Sequence, residues 1–285
     1  MSSDSNKAST NPSSSTPRPD AWLDWLGSAP GSYVLRWQQA QYDSKVSDVF
    51  GYHALQCSLP GLDALRSNRM PHRCRAWLGG EWAEPADRRL GASVPTDSVV
   101  EDTLILDAFE ALPIASDSID LLVLPHVLEF CSDPHQVLRE AQRVLRPDGK
   151  LMISGFNPVS FWGARQLFMR PLPSRLSRPY LPEEGQFISA PRLRDWCKLL
   201  SFDIESTQYG CFAPPCRSDI WLKRWDFLEG VGDRLWPICG AIHFTTAVKR
   251  VVGMRLVGPA LRKGQRLRLA PKPVAITNLE NENIR

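Results

Sequence analysis

Residues 103–158 read TLILDAFEALPIASDSIDLLVLPHVLEFCSDPHQVLREAQRVLRPDGKLMISGFNP. Thr103 to Leu106 is a short apolar run closed by Asp107. Asp117-Ser118 is a turn signal, and Ile119 to Leu124 is almost free of polar residues, as expected of a strand buried on both faces of a parallel sheet. Asp133-Pro134 pairs a capping carboxylate with a proline at the first helical position, a strong helix start. Val137, Leu138, Ala141, Val144 and Leu145 then form one apolar helical stripe. Arg143 and Arg146 follow in the last turn, where positive charge complements the helix dipole. Pro147-Asp148-Gly149 is expected to stop the helix, and Lys150 to Phe156 to form the next strand. Strand, helix and strand with short connections predict a right-handed crossover unit, whose ligands bind beyond the carboxyl ends of the strands. Asp107 and the pair Pro125-His126 lie at such ends.

The same stretch resembles the second half of a class I S-adenosylmethionine-dependent methyltransferase of the type-11 branch. The resemblance rests on several linked elements in order: Asp107 to Ile114, Ser118-Ile119-Asp120, His126 to Phe130, Asp133-Pro134, and Arg143-Val144-Leu145-Arg146-Pro147-Asp148-Gly149. It covers about a fifth of the chain. It implies a Rossmann-like α/β fold, with a mostly parallel sheet, helices on both faces and an antiparallel C-terminal hairpin. It also implies that Asp107 accepts from the adenine amino group, that the Ala108 N–H faces the adenine ring, and that Pro125 and His126 border the donor's sulfonium.

Upstream, Gly51 to Gln56 is the expected first strand, followed by the loop Cys57 to Gly61. The family places an acidic residue and several glycines there, so that backbone can approach the cofactor. Here the stretch runs Gln56-Cys57-Ser58-Leu59-Pro60-Gly61. A bacterial subgroup of the family shares this degenerate loop, and by position Gln56 and Cys57 join the cofactor-site candidates. Gly61 to Asn68 is expected to be a short helix. Arg73 to Leu78 is the expected second strand, without the family's ribose-binding carboxylate; Glu81 is the nearest acid. The family implies no fixed catalytic base, because the donor is intrinsically activated and positioning carries much of the rate, and none is assigned.

The rest of the chain sets bounds. A length of 285 residues, with 43% hydrophobic and 23% charged, fits one large globular domain. We expect a disordered Ser/Thr/Pro-rich tail over 1–20, a methyltransferase-like domain over 21–262 with insertions near 170–187 and 210–238, and a disordered basic tail over 263–285. Trp22, Trp25 and Leu26 form a small apolar patch able to dock on the domain, and Gly31 to Val49 predicts a helix. The Val159 to Met169 stretch, the run from Ile188 through Leu200 and Trp221 to Arg234 predict further helices, and Phe202 to Tyr209 and Cys239 to Arg250 predict strands. Seven scattered cysteines with no Cys-x-x-Cys pair point to reduced thiols in a cytoplasmic protein and to no structural zinc. No apolar run is long enough to span a bilayer. A net charge of +3 is too small to argue for nucleic acid by itself, and the five basic residues between Arg262 and Lys272 read as a solvated tail, so nucleic acid is not expected as a partner. Methyl transfer to a small-molecule acceptor of unknown identity is the expected function. Its rivals are a binding or regulatory protein that has lost tight cofactor binding, and, on the basic run alone, methylation of RNA or protein.

Overall fold

The computed structural model describes residues 19–79, 101–169, 180–182, 185–225 and 228–250. They form α1 (Pro19–Leu26), α2 (Ala29–Val46), β1 (His53–Cys57), β2 (His72–Leu78), β3 (Glu101–Leu106), β4 (Ile119–Pro125), α3 (Val127–Phe130), α4 (Pro134–Val144), β5 (Leu145–Phe156), α5 (Phe161–Met169), α6 (Ala190–Leu199), β6 (Phe202–Gly210), α7 (Asp219–Arg224), α8 (Leu228–Leu235) and β7 (Ile242–Lys249). Residues 1–18, most of the 79–102 loop, Glu81, most of the 170–187 insertion and the basic run from Arg262 lie outside the described residues.

The seven strands are ordered β3-β2-β1-β4-β5-β7-β6. The first five are parallel, and β7 runs antiparallel between β5 and β6. The chain therefore builds outward from β1 to β3, then crosses back to β4 on the other side of β1. That reversal leaves a crevice at the carboxyl ends of β1 and β4, where ligands of such sheets bind.

The apolar run of β4 serves two cores at once, because side chains alternate between sheet faces. Leu122 and Leu124 join Val137, Leu138 and Ala141 of α4 and Leu193 of α6 on one face. Leu121 and Val123 join Tyr42 and Val46 of α2 on the other. A third cluster caps the carboxyl ends of the strands; it includes Trp22 and Leu26 of α1, Leu59, Phe156, Trp162 of α5 and Leu222 of α7.

Asp133 caps α4 as expected, its carboxylate accepting from the N–H groups of His135 and Gln136. The helix ends earlier than Pro147-Asp148-Gly149 suggested. The backbone N–H groups of Asp117 and Ser118 donate to the carbonyls of Arg143 and Val144. Leu145 is thereby drawn into the sheet opposite Ile119, and β5 runs through Pro147 and Gly149. The helix expected over Gly61 to Asn68 is replaced by turns. Buried Gln56 is the physical reason: its side chain donates to the Leu62 carbonyl, an acceptor that the helix would use, and accepts from the Ala64 N–H. Among the described residues no helix is long and apolar enough to cross a membrane.

Candidate functional site at the strand ends

Each candidate residue sits at or just beyond the carboxyl end of a strand, and their environments differ sharply. Gln56, at the end of β1, is fully buried; its amide donates to Ser58 Oγ at 2.8 Å and to the Leu62 carbonyl at 2.7 Å, and accepts from Ala64 N at 2.9 Å. All its hydrogen-bonding capacity toward the protein goes into bracing the loop. Cys57 is equally buried, and burial, reinforced by the nearby Cys74, pushes its thiol far above the ordinary range. Such a thiol is inert as a nucleophile. The Ser58 N–H is taken by the Ala76 carbonyl.

Asp107, one residue past β3, is exposed and makes no hydrogen bond or ion pair with the described residues. Ala108 beside it is half-buried, and Phe109 behind them is anchored in the core. Asp107 thus stands as an open acceptor at the rim of the crevice.

Pro125 ends β4 beyond the span that β1 pairs, so its missing N–H interrupts no ladder bond to β1. His126 follows with a φ of 57°, the left-handed region that non-glycine residues rarely adopt and in which Asn, Asp and His are the most frequent. The conformation turns the chain sharply from β4 into α3, and its backbone N–H is secured by the Ser154 carbonyl. The imidazole is 3% exposed and held at both nitrogens. Nδ1 lies 2.6 Å from Glu129 Oε2, and the Gln38 amide lies 2.7 Å from Nε2. With the Gln38 amide donating to Nε2, Nδ1 carries the proton and donates to Glu129. The same amide donates to Ser154 Oγ, which also accepts from Tyr42 OH. The second oxygen of Glu129 accepts from the Phe156 N–H. Burial raises the Glu129 carboxyl above its ordinary range, and the adjoining His126 partly offsets this.

Over this network lies an aromatic cover. The Trp22 indole N–H of α1 donates to the Pro60 carbonyl in the β1 loop at 3.1 Å. Its ring lies 5.4 Å from the His126 ring, 5.2 Å from Phe130 and stacks on Trp25. Phe156 lies 4.4 Å from the His126 ring and meets Trp22 edge-on at 6.5 Å. Trp22 therefore bridges the ends of β1 and β4 across the crevice.

The structure thus brings Gln56, Cys57, Pro125 and His126 to adjacent strand ends, and places Asp107 and Ala108 at the end of β3, two strands away from β1. Sequence reasoning missed Gln38 and Glu129 as partners of His126, and it took Trp22 as part of an apolar patch able to dock on the domain. One signal existed for Gln38: an amide on the apolar side of a helix, between Val34 and Tyr42. Among the described residues no group of three or more His, Cys, Asp or Glu side chains could hold a metal ion.

Comparison with known proteins adds to this geometry. The type-11 family model, described as a methyltransferase domain, matches residues 78–153. The chain is 45% identical over 93 residues to the uncharacterized protein YafS of Escherichia coli K12, covering 33% of this chain and 36% of that protein. It is 29% identical over 177 residues to the ubiquinone/menaquinone biosynthesis C-methyltransferase UbiE of Cereibacter sphaeroides, covering 61% and 60%. It is 30% identical over 119 residues to a malonyl-[acyl-carrier protein] O-methyltransferase of Laribacter hongkongensis, covering 42% and 38%. The chain thus spans less than two thirds of the length of these curated relatives. A putative methyltransferase of Haloferax volcanii, solved with the Trm112 methyltransferase activator, superposes with a TM-score of 0.58 at 14% identity over 84% of this chain and all of that one, which shows a shared fold. With this strand order, these motifs in sequence and these similarities, the chain has the fold of the class I S-adenosylmethionine-dependent methyltransferases, and its residues 78–153 are similar to the type-11 methyltransferase domain.

Proposed function

We propose that this chain transfers a methyl group from S-adenosylmethionine to a small-molecule acceptor at the carboxyl ends of β1 and β4. The observation that carries this reading is the open Asp107 carboxylate at the end of β3, on a sheet with its switch point between β1 and β4. The adenine end of the donor fits the residues present. Asp107 would accept from the exocyclic amine, and the Ala108 N–H would face the ring. Gln56, Cys57, Pro125 and His126 would border the methionine end. There the fit requires α1 to lift, because Trp22 spans the crevice and the β1 loop keeps a single glycine, Gly61. Bound donor would supply an electrophilic methyl group on a sulfonium. The protein's part is then to position the acceptor and exclude water. The aromatic cover formed by Trp22, Phe130 and Phe156 suits the second task. Relatives named as a C- and an O-methyltransferase support the class of reaction without selecting the acceptor. Seven cysteines without a disulfide support a reducing, cytoplasmic setting.

A second reading is supported by Trp22 and Gln56: a binding protein on the same fold that no longer admits the donor. Calorimetric titration with S-adenosylmethionine and S-adenosylhomocysteine separates the two. Methyl transfer requires saturable binding, weakened by about 1–3 kcal/mol in Asp107→Ala. Absence of binding up to roughly millimolar donor would leave the binding-protein reading in its place.

A further inference from the structure

Two short helices at the carboxyl end of the sheet carry apolar side chains outward. In α5, Trp162 points into the third core cluster, with its indole N–H donating to the Ala213 carbonyl at 2.7 Å. The residues that recur at i, i+4 and i+7 on the outer side are Phe161, Arg165 and Phe168, and Phe168 is 77% exposed. In α7, Leu222 is buried, while Ile220 is 79% and Trp221 50% exposed, with Arg224 one turn on from Ile220. α5 is tied to the segment that leads into α7, since Arg165 donates to the Pro215 carbonyl; Tyr180 OH donates to the Cys216 carbonyl in the same segment.

The charge around these side chains has one dominant sign. On α5 and α7 the charged side chains described, Arg165 and Arg224, are both basic and exposed. The guanidinium of Arg165 lies 5.7 Å from the centre of the Tyr180 ring, and that of Arg224 5.6 Å from the Trp221 ring. Exposed Phe and Trp side chains beside arginines are the composition of helices that lie in the plane of a lipid–water interface. There the rings enter the acyl boundary and the cations meet anionic headgroups.

We propose that α5 and α7 form a docking surface for an anionic lipid bilayer, so that this chain works as a peripheral membrane protein. The surface is independent of the methyl-transfer reading. It lies at the same end of the sheet as the crevice, because α5 follows the carboxyl end of β5 after four residues.

Flotation of the full chain with phosphatidylglycerol–phosphatidylethanolamine vesicles, against phosphatidylcholine vesicles, tests this. The expected result is recovery with the anionic vesicles at least about tenfold above the neutral ones, falling as salt rises. Phe168→Glu and Trp221→Glu should each reduce binding about tenfold, and the milder Arg224→Gln about fivefold. Leu199→Glu, at an exposed apolar position on α6, should leave it unchanged. The basic residues between Arg262 and Lys272 would attract anionic vesicles without this surface, and the substitutions separate the two sources. Wild-type binding that survives all three substitutions, or no anionic preference, overturns the proposal. So does a dimer in gel filtration that Phe168→Glu or Trp221→Glu converts to monomer while vesicle binding persists, which would assign the surface to a second copy of the chain.

Discussion

Acidification from pH 7 to pH 4 is expected to cost the fold about 3 kcal/mol through His243 alone. This side chain lies on β7, 2% exposed, with Nε2 3.0 Å from the Ile188 carbonyl. Nε2 therefore carries the proton and donates, and Nδ1 is buried with no partner among the described residues. Burial depresses its pKa from 6.5 to about 4; the hydrogen bond to the Ile188 carbonyl opposes this in part, and His126 adds a smaller downward push. Between those values the unfolded chain binds a proton that the folded chain refuses. The stabilisation is fully present above pH 6.5 and is lost as pH falls to 4. A displacement of about 2.5 units corresponds to roughly 3.4 kcal/mol at 1.36 kcal/mol per unit. Glu129, across Gly155 from His243, acts with the opposite sign. Its raised carboxyl favours the folded state at acid pH, and that advantage fades as pH rises from 4.5 through its elevated value. The contribution of His243 is isolated by urea unfolding of wild type and His243→Gln at pH 7, 6, 5 and 4, with the imidazole titration followed by NMR in wild type. The wild-type loss should exceed that of the variant by about 3 kcal/mol. Parallel stability curves, or a His243 ring that titrates near 6.5, would refute the reasoning.

Other expectations follow from single contacts. Gln56→Leu leaves the buried Ala64 N–H and Leu62 carbonyl without their partner and should cost about 2–4 kcal/mol in denaturant unfolding. Asp133→Ala removes a cap that serves two N–H groups and should cost about 1 kcal/mol in the same assay. Gly155→Ala would place a methyl 3.0 Å from His243 Nε2 and 3.1 Å from Glu129 Oε1, and should lower stability by about 1–3 kcal/mol. Donor binding should alter tryptophan emission as α1 lifts, and Trp22→Phe should remove most of that change; an unaltered signal change in the variant would exclude movement at Trp22.

What was legible from the residues was local or repetitive. The Asp133-Pro134 start of α4 needs only three neighbouring residues, and the unbroken apolar run of β4 records burial on two faces at once. Motif order then carried the mostly parallel sheet. The misread pieces depend on contacts between distant residues. The helix expected over Gly61 to Asn68 gives way to turns because the Gln56 amide reaches forward to Leu62 and Ala64. The true end of α4 is imposed by the turn at Asp117-Ser118. The pairing of His126 with Gln38 spans 88 residues, and no periodicity encodes it. Trp22 was recognised as apolar, but its place between Pro60 and His126 is a property of the assembled crevice.

The position of α2 over β5 also has a consequence in time. Gln38 and Tyr42 find their partner, Ser154, 116 and 112 residues later in the chain. At about 5–20 residues per second of synthesis, α2 leaves the ribosome roughly 6–23 seconds before the strand that satisfies it. Through that interval its buried face, Tyr42 and Val46 included, has no finished sheet to rest on. The closing pair β6 and β7 arrives later still. This domain is therefore expected to fold late and all at once, and to lean on chaperones while it is being made, instead of assembling from its first-made end.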